Sequence, residues 1–285
     1  MGYKRKTLIF ERNTDSSEAK LVIRKTKQAS KDLPKKQGWK VVLEVSLLLL
    51  WVGVAVVASQ FAVGYLMVLI LGAGAFDKPV VTAIYSAVAY TLAMLLVIYV
   101  PPKLLAKWRG PNSGKVNREQ LGLKGWPTWT DIGLAPVGFV VYLLLAAGLV
   151  AIFSQFPWFD ANEAQDVGFN TYIFGFDRLL AFFTLVVVAP VAEEVIFRGW
   201  LYEKIRSKLW GEMAHWVAIA VTTILVSVLF GLIHMQWNVG VNVFAMSLVL
   251  CALREVTGTI YAGILLHMLK NGVAFYLLYV MGTGA

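Results

Sequence analysis

Three clusters in the second half of the chain have residue types and spacings suited to hydrolytic chemistry. Glu193 and Glu194 are adjacent in VVVAPVAEEVIFRGWLYEKI, inside an otherwise apolar run. Arg198 follows Glu194 by four residues, which puts the two on one face of a helix and lets them pair. Glu193 points about 100° away and has no such local cation. A desolvated carboxylate without a bound cation is placed to take a proton from water. Pro190, three residues earlier, bends a helix or frees one of its carbonyls. His234 ends the sequence FGLIH, four residues after Phe230. His267 and Asn271 stand four apart in HMLKN and share a helical face. Together these residues could supply a base for water and donors for a developing oxyanion.

Each cluster has a plainer reading. The two glutamates and Arg198 could be a packing ion-pair network, and a lone membrane histidine is often a helix–helix hydrogen bond. The chain has three histidines, and two of them fall in apolar runs beside this chemistry. His215 stands next to Trp216 at a boundary and reads as an interfacial residue. Lys270 shares roughly the face of His267 and either pairs with a carboxylate or reaches for the interface. Cys251, the single cysteine, reads as small apolar filler and allows neither a disulfide nor a Cys-based metal site.

The elements that must position these groups are membrane helices. The chain is 58% hydrophobic and 15% charged, whereas a soluble domain carries about a quarter charged residues. Seven apolar runs stand out, at about 41–71, 80–100, 132–156, 179–202, 214–235, 241–253 and 259–281. Strand-like alternation is absent, which argues against a β-barrel. The expected fold is an all-α polytopic membrane protein with about seven transmembrane helices and an intramembrane catalytic cavity. Residues 1–40 form a basic, flexible N-terminal segment, and 41–285 the transmembrane domain, with the motif-bearing core at about 179–281.

Loop charge sets an orientation. Residues 1–40 hold twelve Lys or Arg against four Asp or Glu. This excess reads through the positive-inside rule and not as nucleic-acid binding. Nor is it a cleavable signal peptide, because the first apolar run begins near Val41 without a small-residue cleavage pattern. The segment 101–130 carries Lys103, Lys107, Arg109, Lys115, Arg118 and Lys124, and so joins the N-terminus on the cytoplasmic side. The first long run therefore counts as one crossing. Residues 157–177 lack Lys and Arg but hold Asp160, Glu163, Asp166 and Asp177, which places them outside. GPNSG at 110–114 marks a loop, and the two Trp of LGLKGWPTWTD at 121–131 read as an interfacial anchor. On this layout Glu193 and His267 lie near mid-depth. His234 falls about 30 Å along its helix, close to the outer side, and its distance from the others is the one discord.

The three motifs, EExxxR at Glu193–Arg198, FxxxH at Phe230–His234 and HxxxN at His267–Asn271, resemble the signature motifs of the CPBP family. That family comprises type II CAAX prenyl endopeptidases and bacterial Abi-type proteins linked with bacteriocin processing and immunity. The resemblance covers about residues 185–275. It implies a polytopic helical fold with an active site in a cavity within the membrane, acting on a membrane-associated protein or peptide. Carried over residue by residue, it implies that Glu193 and His234 activate water and that His267 and Asn271 stabilise the oxyanion. Glu194, Arg198 and Phe230 would support the site. No cofactor is favoured. Zinc is the alternative, held by Glu193, His234 and His267, but HExxH is absent and an amide such as Asn271 suits an oxyanion better than zinc. The competing functions are a non-proteolytic membrane scaffold or bacteriocin-immunity factor, and a proton-coupled transporter, for which repeated halves are missing. The expected location is a bacterial or other cytoplasmic membrane.

The orientation is testable with single cysteines at Lys20, Lys115, Gln165 and Gly284 in a Cys251→Ala background. A membrane-impermeant thiol reagent should reach positions 165 and 284 from outside, and positions 20 and 115 only after permeabilisation. Labelling of 115 and 165 from the same side would contradict the seven-span layout.

Overall fold

The structure, a computed structural model, describes residues 38–109, 117–163, 169 and 173–282. All but the last three residues of the basic segment 1–40 lie outside that range, as does GPNSG. Among the described residues there is no strand. Seven helices are long and apolar enough to cross a bilayer. They are α1 (Gly38–Leu71), α2 (Pro79–Arg109), α3 (Trp129–Phe153), α4 (Gly175–Leu209), α5 (His215–Leu232), α6 (Trp237–Thr257) and α7 (Tyr261–Tyr279). The chain is a polytopic α-helical membrane protein, as its composition implies. The first apolar run is one helix of 34 residues.

The boundaries differ most from the sequence reading at four places, the first being α2, which runs on to Arg109 instead of ending near 100. Helix α4 runs from Gly175 to Leu209, well beyond 179–202, because its basic last turns carry on the same helix. Helix α6 spans Trp237–Thr257 instead of 241–253, its polar ends being helical too. Helix α5 stops at Leu232, so His234 lies in the turn beyond it and not within the span.

Helices α4 and α6 are the buried pair, with 56% and 61% of their spans buried, against 17–28% for the others. The outer helices expose Phe61, Leu69 and Ile70 on α1 and Val140 and Leu144 on α3. Apolar surface of that extent belongs against lipid tails.

Helix α4 is irregular on both sides of the two glutamates. It is α-helical at Gly175–Phe182, π-helical at Phe183–Val188, α-helical at Ala189–Glu194, π-helical at Val195–Leu201 and α-helical again at Tyr202–Leu209. Pro190 accounts for part of this. It offers no N–H, and the preceding Ala189 N–H is bonded to the Thr184 carbonyl five residues back. The Leu185 carbonyl is thereby left without a partner from its own helix. Such groups must find another donor inside a membrane.

The basic end of the bundle is clipped to α4 by Arg254. Its guanidinium donates to the carbonyls of Arg198 (3.4 Å), Gln120 (3.1 Å) and Gly258, and lies 3.8 Å from Glu203. Gly122 sits under it with φ +75°, where a Cβ would come within 2.9 Å of the guanidinium carbon. A residue with a side chain is excluded there both by conformation and by space. Asp131 forms a capping box with Thr128 at the start of α3 and accepts a hydrogen bond from Thr259 (3.0 Å), which ties α3 to the start of α7. Ion pairs Arg206–Glu255 (2.7 Å) and Lys208–Glu44 join α4 to α6 and to α1.

At the other end, α5 and α6 touch backbone to backbone. A Cβ on Gly231 would lie 2.9 Å from the Gly240 carbonyl oxygen, and one on Gly240 would lie 3.1 Å from that of Gly231. Small residues allow this approach, as is common between membrane helices. The contact fixes the turn that carries His234. Gly231→Ala should therefore destabilise the fold by about 1–3 kcal/mol. Gly148→Ala, with nothing within 4 Å of the added carbon, should be close to neutral. Unfolding of the two variants in the same detergent checks this, and equal stability would refute the close-contact account.

Candidate functional site

A cavity of about 340 Å³ lies between α1, α2, α4, α6 and α7 and the turn after α5. Glu193, His234, His267 and Asn271 all line it. The structure thus brings together the four residues that the sequence singled out. Phe230, Glu194 and Arg198 pack behind them and are fully buried.

Glu194 is the hub of this inner layer. Its Oε1 accepts from Arg198 Nη1 at 2.9 Å, the i,i+4 pair expected from the spacing. The same oxygen lies 3.1 Å from His267 Nδ1. Oε1 already accepts from Arg198, so the hydrogen between Oε1 and Nδ1 is assigned to the histidine, and Nε2 is the nitrogen turned to Glu193 and the cavity. His267 Nε2 stands 3.6 Å from Glu193 Oε2. The two adjacent glutamates therefore meet the two nitrogens of one imidazole. A cross-helix contact of this kind cannot be read from i,i+4 spacing, which assigns Glu194 to Arg198 alone.

Glycine makes room for that contact. A Cβ on Gly263 in α7 would lie 3.1 Å from Glu194 Oε2. Phe230 fills the space behind. Its ring lies 5.1 Å from His234 and 6.0 Å from His267, centroid to centroid, with the Arg198 guanidinium 4.4 Å from its centre. One aromatic ring thus holds both imidazoles edge-on and covers the buried cation. This is the physical content of the FxxxH spacing.

His234 reaches the cavity because the chain turns. Helix α5 ends, Met235 takes φ 56°, and His234 Nδ1 lies 2.7 Å from the Phe230 carbonyl. A carbonyl only accepts, so Nδ1 carries the hydrogen and Nε2 keeps a free lone pair. The discord in depth resolves in the same way. Most lining residues sit on the half of their helix nearer the end where α3 stops and α4 begins, while Glu193, Ile196, Phe197 and His267 lie at or just past the middle. Helix α7 contributes His267 through Tyr279, and α4 contributes Leu185 through Phe197. The cavity runs from mid-bundle toward that end, and His234 forms part of its wall there.

Asn271 accounts for the stray carbonyl of α4. Its Nδ2 donates to the Leu185 oxygen at 2.9 Å. That is the carbonyl which Pro190 and the π-turn leave unpaired. One amide hydrogen is committed to this anchor, and the second has no hydrogen-bond partner among the described residues.

Some cavity residues were not singled out by the motifs. Gln60 on α1 and Tyr85, Ser86 and Tyr90 on α2 line the wall opposite α4, with Tyr90 close to Glu193. The available signal was a set of polar side chains inside two apolar runs that matched no motif. Lys270 also lines the cavity. His215 begins α5 against Trp210, with ring centroids 3.8 Å apart, and takes no part. Among the described residues, no three His, Cys, Asp or Glu side chains converge as a set of metal ligands.

Residues 175–273 match the family model of type II CAAX prenyl endopeptidases, Rce1-like. This span contains all three motifs and covers α4, the turn with His234 and most of α7. It leaves α1–α3 unmatched. No curated protein and no solved structure matches the chain. The match supports an intramembrane endopeptidase in general terms, in agreement with the resemblance carried by the motifs.

The inner layer makes a stability prediction. Arg198→Met leaves Glu194 buried without its cation and should cost about 3–5 kcal/mol. Exchanging Glu194 and Arg198 together for Gln and Met should cost less than Arg198→Met alone. Unfolding of the purified variants measures this, and equal stability of Arg198→Met and the parent would show that the pair carries no such constraint.

Proposed function

We propose that the protein is an intramembrane endopeptidase that hydrolyses a peptide bond of a membrane-associated protein or peptide. The observation that carries this reading is the convergence of Glu193, His234, His267 and Asn271, from three separate parts of the chain, on one cavity inside the helical bundle.

In the proposed reaction Glu193 takes a proton from the attacking water, while the free Nε2 of His234 accepts that water's other hydrogen bond. The hydroxide adds to the carbonyl carbon of the scissile bond. The oxyanion then forms between His267 Nε2–H and the free amide hydrogen of Asn271. In this step both ring N–H groups of His267 donate, Nε2–H to the oxyanion and Nδ1–H to Glu194. Collapse of the intermediate breaks the C–N bond, and Glu193 returns its proton to the leaving amine. The products are a carboxylic acid and an amine, whose remaining proton passes from the acid to the amine so that they leave as carboxylate and ammonium, and the site ends as it began. Glu194 and Arg198 hold His267 in register, and the Leu185 carbonyl does the same for Asn271.

The reading is metal-free. Both nitrogens of His267 face carboxylates, and His234 Nδ1 faces a carbonyl, an arrangement suited to proton transfer and oxyanion binding. With the basic loops in the cytoplasm, the cavity extends toward the outer face, and substrate reaches it from that side. The site implies no prenyl group on the substrate, and the reading includes none.

Two measurements test the mechanism. Glu193→Gln and His234→Ala should each lower turnover by about 10²–10⁴-fold while the protein still inserts and folds. Near-normal turnover by purified Glu193→Gln enzyme would rule out the general base. Treatment with strong zinc chelators should leave cleavage unchanged, with metal content far below one per chain. Stoichiometric zinc, with activity lost on chelation and restored by zinc, would turn Glu193, His234 and His267 into ligands.

A further inference from the structure

Lys270 is not used by the reaction described above, yet its ammonium belongs to the same cavity. It is the one Lys or Arg among the lining residues. Among the described residues none makes a hydrogen bond or a close ion pair with it. The carboxylates nearest to it each have another partner as well. Glu194 is buried between Arg198 and His267, and Glu193 faces His267 at 3.6 Å with Tyr90 nearby. Glu193 and Lys270 line the same space and interact electrostatically, but they form neither a hydrogen bond nor a close ion pair.

A cation in a membrane cavity is costly, and such residues face a partner or a ligand. An ammonium is a compact point charge with three donors, and its attraction for an anion rises steeply where water is scarce. Lys270 stands three residues after His267 and directly before Asn271. Three residues of helix rise about 4.5 Å, so an anion held by Lys270 lies close to the groups assigned to the oxyanion. Gln60 and Ser86 elsewhere on the wall are neutral polar side chains suited to a peptide backbone. The ligand that suits this arrangement is a peptide with a negative charge near the bond to be cut.

We propose that Lys270 is a specificity residue that docks a carboxylate of the substrate beside the scissile bond. This rests on the peptidase reading for its context. The carboxylate has two sources in a peptide, the free C-terminus or an acidic side chain, and Lys270 recognises the group they share.

The test uses the full chain in phosphatidylcholine nanodiscs and one fluorescent apolar decapeptide in three forms. The first has a free C-terminal carboxylate, the second a C-terminal amide, and the third an amide with one internal Glu. Binding is read on Glu193→Gln protein, and cleavage on the parent in parallel. At least one carboxylate-bearing form should bind about tenfold or more tightly than the plain amide, and which one does so identifies the source. Lys270→Met should abolish the preference while leaving affinity for the plain amide unchanged, which also reports an intact cavity. Lys270→Arg should restore part of the preference, and Lys270→Gln, which keeps a polar side chain, should not. Equal binding of all three forms, or a preference that survives Lys270→Met and Lys270→Gln, would overturn the proposal. So would a uniform loss of cleavage for all three forms in Lys270→Met with binding unchanged, since that is the signature of a partner for Glu193. A carboxylate preference without any cleavage would leave the docking site standing and remove the peptidase reading instead.

Discussion

A buried guanidinium, a buried carboxylate and an imidazole in series, Arg198–Glu194–His267, set the terms for the rest of this bundle. Arg198 and Glu194 are both fully buried, where an ion that loses its partner is heavily penalised. Glu194 therefore cannot move from Arg198 on its own helix. Because the same carboxylate oxygen meets His267, α7 is fixed against α4 at the depth of Glu193. The other arrangements follow: Gly263 leaves room for the carboxylate, and the Phe230 ring covers the cation and abuts both imidazoles. The charged series behind the cavity wall specifies where the polar groups in front of it must stand.

The same constraint explains why α4 departs from a regular helix. A π-turn on each side of Ala189–Glu194 changes the rotation of the chain, so that Glu193 faces the cavity while Glu194 faces the interior. Such turns expose carbonyls, and a bilayer supplies no water to satisfy them. Two carbonyls of this stretch are met by side chains. Asn271 takes the Leu185 carbonyl at one end, and Arg254 takes the Arg198 carbonyl at the other. Asn271 thus anchors α7 to α4 with one amide hydrogen and presents the other to the cavity. The basic end of the molecule, gathered around Arg254, stabilises the irregular helix that carries Glu193 and Glu194.

Much of this was legible in the sequence because lipid imposes simple rules. Seven apolar runs gave seven helices, and the i,i+4 spacing of Glu194 and Arg198 gave their ion pair. Pro190 signalled a freed carbonyl, and Asn271 turned out to be its donor. The contact between Glu194 and His267 was not legible, since it joins residues 73 apart on helices whose relative rotation no local pattern encodes. His234 was misplaced for a related reason. Its apolar neighbours extend the run to residue 235, but the helix stops at Leu232 and the backbone turns at Met235. The wall formed by Gln60, Tyr85 and Tyr90 went unread because isolated polar residues in apolar runs have no spacing to mark them.

The central claim is that Glu194 holds His267 and thereby aligns the cavity. A double-mutant cycle between Glu194→Gln and His267→Ala, read as unfolding free energy of the full chain in one detergent, tests it directly. Residues that share a buried hydrogen bond couple by about 0.5–3 kcal/mol, whereas independent sites add. The account predicts a coupling in that range, with the double variant less destabilised than the sum of the two single variants. Strict additivity of the two substitutions would contradict it, because His267 would then owe its position to something other than Glu194.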